Sequence, residues 1–466
     1  MQLSHTPAAM SAGFDEPNLV SAAGLVPVLA LAESVGLATL ARQHLSVPTD
    51  KGANAGAKVA ALVAGMVAGA DSIDDLRLLR HGGMRRLFTG AYAPSTLGSF
   101  LRAFRFGHVR QLDAVAARVL AGLAARAPLL PTSNSASKSG LMLVDVDDTI
   151  VEVHGYAKQG AAFGYSKLRG LNALLATAST PGSAPVIVAQ RLRKGSAHSA
   201  RGAKRLVTDA LRTVSRLTPR RPVLLRADSA FYGADTVTAA VRAGAQVSVT
   251  VRQNAQVKAA IAQIDEEGWI PIAYREAVYD EVAQRWISRA EVAEIPYVAF
   301  ASKPQRQQVA GRLVVRRIPE LNPTRQDGLF DVWRFHAFFT TSAPELVDTV
   351  TADRIHRGHA IIEQVHADLK HSALAHLPSG KFAANAAWLV LAVIAFNLTR
   401  TAATLTGSGL ATATTGTLRR TLIALPARIA TSARRVVLHL PQAWPWQDAW
   451  RKLFHLACGP PVPHPA

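Results

Sequence analysis

The stretch from Leu141 to Gly155, LMLVDVDDTIVEVHG, constrains the fold of this chain more than any other. An apolar run stops at acids and resumes as the β-branched TIVEV with no Gly or Pro between. That is the pattern of a buried strand with carboxylates at its centre. Side chains alternate along a strand, so Asp145 and Asp147 share one face and Asp148 takes the other. The alternative is that Asp147 and Asp148 only open a turn before Thr149. Carboxylates held mid-strand are costly to bury and so need a partner, often a metal ion.

A second strand repeats the arrangement. In RPVLLRADSAFYG, from Arg221 to Gly233, a short apolar run leads to Asp228 near the strand's end. Between the two acidic strands, Pro185 to Leu192 reads as a further strand that passes through a Gly/Ser turn into an amphipathic helix. Strands and helices in this order indicate an α/β layer domain. From about Val249 to Ser342 the sequence turns strand-rich, which predicts an antiparallel insert. Its Trp269, Trp286 and Trp333 suit core packing, or stacking on an unpaired base.

The segment HRGHAIIEQVHADLK, His356 to Lys370, predicts a helix. Residues three, four and seven apart share a helical face, so His356, His359, Glu363, His366 and Lys370 form one stripe, with Ile355, Ile361, Ile362, Val365 and Leu369 mainly off it. A solvated face looks the same. Its charge acquires meaning only beside the two acidic strands.

The chain's 466 residues allow about three domains of ordinary size. Lysine and arginine total 52 against 32 acids, a net charge of +20. Such an excess attracts polyanions, of which nucleic acid is the commonest. The single cysteine, Cys458, excludes an internal disulfide and a multi-cysteine zinc site, and it suits a reducing cytoplasm. The apolar stretches near residues 19–41 and 382–400 read as buried helices and not as membrane spans, so no membrane partner is expected. Composition divides the chain into a helical region at 1–130, expected to bind DNA through arginines at 77, 80, 85, 86, 102, 105 and 110; a linker at 131–140; an α/β core at 141–247; the insert at 248–345; the rest of the core at 346–405; and a basic helical region at 406–466. No acid falls between Asp368 and Asp448, which suits phosphate contact without sequence readout.

Carboxylates on two strands and a third on a later helix can converge on a pair of divalent cations, and hard oxygen donors suit Mg²⁺ and phosphodiester chemistry. With DVDDT, LLRADSAFYG and HRGHAIIEQVHADLK in this order, the chain resembles DDE transposases of the insertion-sequence 1380 family, in the branch whose third motif is Tyr-x2-Arg-x3-Glu-x6-Lys. The stretches GAAFGYSKLRGLNALLATAS and LRKGSAHSA match in style. The resemblance implies an RNase H-like catalytic domain with a β-rich insert, preceded by a helical DNA-binding domain and followed by a basic helical region. It also implies metal ligation and catalysis by Asp147, Asp228 and Glu363, with Asp145 as a substitute ligand. Mg²⁺ would be the cofactor, with Mn²⁺ able to replace it. The implied activity is cut-and-paste transposition on terminal inverted repeats and target DNA, by a homodimer in a bacterial, nucleoid-associated setting. DNA contacts are expected at Lys370, His356, His359, Arg193, Arg419, Arg420, Arg434 and Arg435. Two residues depart from the family: His356 and His359 stand where it has Tyr and Arg. A structure-selective metal nuclease, or a decayed DNA-binding protein, would carry the same acids or the same basic surfaces.

Overall fold

The computed structural model describes residues 1–48, 50–131, 140–275, 277–281, 285–319, 333–432 and 435–459. A short strand β1 (Leu19–Val20) precedes the helices α1 (Leu25–Ser34), α2 (Leu37–His44), α3 (Ala55–Ala68), α4 (Met84–Leu87), α5 (Pro94–Arg102) and α6 (Phe106–Arg126). Helix α5 opens on Pro94, whose fixed φ and missing N–H cost nothing in a first turn. Along α6 the buried Leu112, Val115, Ala116, Val119, Leu120 and Leu123 recur at helical spacing and give it one apolar face. Most of the linker expected at 131–140 lies outside the described residues.

The centre of the protein is a large mixed sheet. Its first part contains β2 (Met142–Glu152), β3 (Ala162–Phe163), β4 (Arg169–Ser179), β5 (Val186–Lys194), β6 (Val223–Ala227) and β7 (Gln246–Thr250), with α7 (Ala203–Leu217) before β6 and α8 (Ala234–Arg242) after it. Strand β4 runs antiparallel to β2 and β5 antiparallel to β4, whereas β6 is parallel to β2 and β7 parallel to β6. The central position of β2, between β4 and β6, explains the apolar run with which it opens.

The next segment adds α9 (Ala255–Ile261), β8 (Ile270–Pro271), the small hairpin β9 (Val278–Asp280) and β10 (Arg285–Ile287), then β11 (Glu291–Ala299), β12 (Val309–Pro319) and β13 (Trp333–Thr340). Because β13 pairs antiparallel with β7, the insert continues the central sheet through β12, β11 and β8. It thereby covers an edge of the parallel strands that would otherwise offer unpaired backbone groups. Trp269 is buried and lies 6.0 Å from Phe335. The Arg317 guanidinium sits over both Trp269 (4.3 Å) and Trp333 (4.5 Å) and is itself paired with Glu266 and Glu291. Core packing therefore accounts for Trp269. The side chain of Trp286 lies outside the described residues.

Two short helices follow, α10 (Thr349–Arg357) and α11 (Ile361–Lys370), separated by a 3-10 turn at Gly358–Ala360. Helix α12 (Phe382–Thr406) is long and apolar enough to cross a membrane, but 89% of its most apolar window is buried inside the protein. The chain ends with α13 (Thr415–Leu418), β14 (Ala427–Ser432), β15 (Arg435–His439) and α14 (Gln447–Cys458). The C-terminal region is thus not wholly helical, as the sequence reading expects. Alternation in ARIATS and RVVLH builds a hairpin, and β14 also pairs with β1 near the other end of the chain, Leu19 opposite Arg428. The two ends share one core with α12 instead of forming separate units.

Candidate active site

The parallel register of β2 and β6 aligns Val144 with Leu225, Asp145 with Arg226, and Val146 with Ala227. One residue further on, Asp147 continues β2 while Asp228 stands just past the end of β6, on the neighbouring strand. Burial, reinforced by the neighbouring charges of Asp228 and Asp148, pushes the Asp147 carboxyl up to about 6, against the opposing pull of a backbone hydrogen bond and of His359. Asp228 accepts from the Ala230 N–H at 2.9 Å, as cap of the following turn. Its carboxyl is also raised, chiefly because nearby protein displaces water from it, although the residue as a whole stands open to solvent. Two like charges brought together at a strand end form a site that gains from a cation or a proton.

Asp145 occupies the same face as Asp147, as alternation predicts, but has a different partner. It is fully buried, and Arg226 donates to both of its oxygens, Nε to Oδ1 and Nη2 to Oδ2, each at 2.8 Å. His359 adds a contact from Nδ1 to Oδ1 at 2.9 Å. Both oxygens of Asp145, the expected substitute metal ligand, are thus engaged within the protein. Asp148 turns the other way and bonds Arg193 (2.6 Å) and Asn172. Arg193 in turn bonds Asn172 and the carbonyls of Ser199 and Arg201, and it is buried. It braces the β4 and β5 strands, so this expected DNA contact is engaged within the protein.

The third motif is broken where a single helix was expected. Arg226 donates from Nη1 to the Ile355 carbonyl, an oxygen that an unbroken helix would give to the N–H four residues on. The same guanidinium passes so close to Gly358 that a Cβ there would stand 2.8 Å from Nη1. Gly358 provides that space, and the helix restarts at Ile361. His356 consequently lies on α10, stacked on Phe338 with ring centroids 4.1 Å apart. Its nitrogens are bonded to Ser248 Oγ (2.8 Å) and Thr250 Oγ1 (3.0 Å). Both nitrogens of this expected DNA contact are thus engaged within the protein. His359 is engaged at Nδ1 by Asp145, leaving Nε2 as its remaining polar atom.

Glu363 stands on the exposed side of α11, a helix packed against β2. Among the described residues no group of three His, Cys, Asp or Glu side chains is close enough to hold a metal ion. Strand register brings Asp147 and Asp228 near enough for their charges to repel, and Glu363 is not grouped with them in this arrangement. Lys370, half-buried at the end of α11, is near enough for the Asp147 charge to favour its protonated form, while burial acts more strongly in the opposite sense. Arg419 is half-buried against Gly69 and Arg420 is exposed. Arg434 and the side chain of Arg435 lie outside the described residues. Sequence reasoning missed Arg226, whose role depends on the register of two strands far apart in the chain. It also gave no particular role to His366, whose buried ring nitrogens have no partner among the described residues.

The buried groups predict a pH dependence. Burial is the main cause that pushes His356 down to about 3 and His366 down to about 4. An unfolded imidazole titrates near 6.5, so from about pH 6.5 down to 4 the unfolded chain binds the extra protons and these two rings lower stability as pH falls. Asp147 and Asp113, each raised to about 6 mainly by burial, act in the opposite direction: their contribution is full below about pH 4 and is lost as pH rises through 6. The urea midpoint of the wild type should accordingly change little between about pH 4.5 and 6. Asp147→Asn should make it fall more steeply on acidification. Parallel curves for the two proteins would show that Asp147 titrates as an ordinary carboxylate.

Comparison with known proteins adds a family. The family model described as transposase DDE domain group 1 matches residues 5–457. Among solved structures, a cryo-EM structure of piggyBac transposase synaptic complex with hairpin DNA is similar at 12% identity and a TM-score of 0.41, over 85% of this chain and 79% of that one. No curated protein sequence matches.

Proposed function

Since the chain belongs to the transposase DDE domain group 1 family and is a DNA transposase, we propose that it binds the terminal inverted repeats of an insertion sequence and cuts and rejoins DNA by in-line phosphodiester displacement. The observation that carries this reading is the pair Asp147 and Asp228, the first midway along β2 and the second just past the end of the parallel neighbour β6, with Asp147 raised to about 6 by burial and by like charge. The strand order β5-β4-β2-β6-β7, two antiparallel pairings followed by two parallel ones, supports an RNase H-like reading of the core.

The donor chemistry fits a hard divalent cation such as Mg²⁺ in part: two carboxylates already face one another, and Glu363 would have to join them. When bound, such an ion would stabilise charge on the phosphoryl oxygens and on the attacking and leaving oxygens. Asp147 and Asp228 would hold it, and Lys370, beside Asp147, would attract the phosphate backbone. The insertion-sequence 1380 branch, a homodimer in the DNA complex and a cytoplasmic setting belong to the same proposal. The engagement of His356 and His359 inside the protein supports the second reading, a copy that binds DNA with reduced or lost cutting.

The test is incubation of the full chain with linear DNA carrying the element's own terminal repeats, with Mg²⁺ or with chelator. Nicks at the repeat ends and joined products that need the metal are expected. Cutting without regard to the repeats would favour a nuclease. Tight binding with no metal-dependent product would favour the decayed protein.

A further inference from the structure

The carboxylate site leaves most of the positive charge unexplained, and part of it gathers in an open cleft of about 240 Å³ between α6 and α7. On α7, Arg205, Asp209, Arg212 and Arg216 fall four, three and four residues apart and so share a face about 16 Å long. Opposite them α6 carries Arg110, Asp113 and Arg118, and the floor is β5, with Gln190 and Arg191.

Asp209 is the hub of this cleft. It lies 3.0 Å from Arg110, 3.1 Å from Arg191, 3.3 Å from Arg205 and 3.7 Å from Arg212. Asp113 takes a bond from Arg110 at 2.7 Å and another from Gln190 at 2.7 Å. Arg118 bonds the Ala114 carbonyl of its own helix, and neither it nor Arg216 has an acidic partner among the described residues. Five arginines line the cleft with two aspartates, an excess of three positive charges in one concave surface, and Arg205 reaches Asp209 from beyond the lining. Like charges held together on rigid helices repel, and a concave wall concentrates their field, so the arrangement is electrostatically unfinished without an anion. Guanidinium forks match phosphate oxygens in geometry as well as charge.

The dimensions favour a polymer over a single small anion. A stripe of about 16 Å follows about five base steps of one strand at 3.4 Å per step. The cleft is also level with a candidate carboxylate: Asp147 is paired with Leu175, and Leu175 with Gln190 on the cleft floor. Two strand spacings of about 4.8 Å put Gln190 about 10 Å from Asp147 along the sheet.

We propose that the cleft between α6 and α7 binds the sugar-phosphate backbone of the DNA that flanks the cut. The proposal rests on the transposase reading and adds a binding surface to it. Arg118 and Arg216, exposed at the rim, make the contact, while Asp209 and Asp113 hold the inner arginines apart and aimed outward.

The experiment measures duplex DNA affinity of the full chain by fluorescence anisotropy at several salt concentrations. The variants are Arg118→Gln/Arg216→Gln, its conservative partner Arg118→Lys/Arg216→Lys, and Lys303→Gln/Arg306→Gln as a charge-matched control on the insert. Each lost phosphate contact should flatten the slope of log affinity against log salt by about 0.9. The glutamine pair in the cleft should therefore flatten it by about 1 to 2, and the lysine pair and the control should keep the wild-type slope. A cleft variant with the wild-type slope, or with no more change than the control, overturns the proposal. If the wild type cuts repeat-bearing DNA and the slope stays fixed, the cleft alone is refuted. A wild type that neither binds nor cuts DNA refutes the transposase reading as well.

Discussion

Replacing Asp147 or Asp228 with Asn is expected to lower metal-dependent strand cleavage on the order of 10³-fold or more, with DNA affinity unchanged within about twofold. The asymmetry follows from how the two properties are distributed. Groups that hold a reacting centre act as a unit, so losing one removes most of the effect of all. Affinity for the backbone is summed over many basic contacts, and neither aspartate is one of them. Glu363→Gln tests a separate point, because Glu363 is exposed and not assembled with the other two. If Glu363 closes on the site when DNA binds, this variant will fall as far as the others. Cleavage at the wild-type rate by Asp228→Asn would remove that residue from the chemistry, and the same result for Glu363→Gln would leave the site with two acids.

The second large effect concerns stability. Arg226→Met should destabilise the protein by about 3 to 5 kcal/mol, since it leaves the buried Asp145 carboxylate without its two-pronged partner. Asp145→Leu combined with Arg226→Met should recover much of that loss, because a buried ion pair exchanged for apolar groups is often nearly neutral. Denaturant unfolding of wild type, both single variants and the double variant gives the coupling directly. Additive losses would mean that the pair contributes nothing as a pair. The same guanidinium binds the Ile355 carbonyl, so Arg226→Met also removes the contact that interrupts the helix before Gly358.

Local pattern carried the elements built from a single continuous stretch. Apolar runs ending in acids located β2 and β6, and strict alternation put Asp145 with Asp147 and apart from Asp148. Helical periodicity located α6, α7 and α11. The third motif shows the limit. Its spacing is fully compatible with one helix carrying His356, His359 and Glu363 on one face, and nothing within the segment except Gly358 hints at a break. The break comes from Arg226, whose position is set by a parallel pairing of strands about eighty residues apart. His356 was legible as an imidazole and not as a neutral ring locked between Ser248, Thr250 and Phe338, because all three partners arrive from the insert side of the sheet. The C-terminal hairpin was missed for a related reason: a short alternating run among many arginines is weak by itself, and its pairing partner β1 lies at the other end of the chain.

By itself the sequence determined that this chain makes buried strands that carry carboxylates, a strongly basic surface and a helix-rich flank, since each of these follows from side-chain chemistry and short-range periodicity. Only the tertiary structure decided which acids share a site. Asp145 and Asp147 are equivalent in alternation, yet one is neutralised by Arg226 inside the core and the other is left beside Asp228, its carboxyl raised by burial and like charge. Arg193 and His356 likewise became structural because the groups around them, brought from distant segments, satisfied their hydrogen bonds before any phosphate could. The physical reason is that a charged or polar side chain takes its role from its neighbours, and for these residues the neighbours are set by strand register and not by adjacency in the chain.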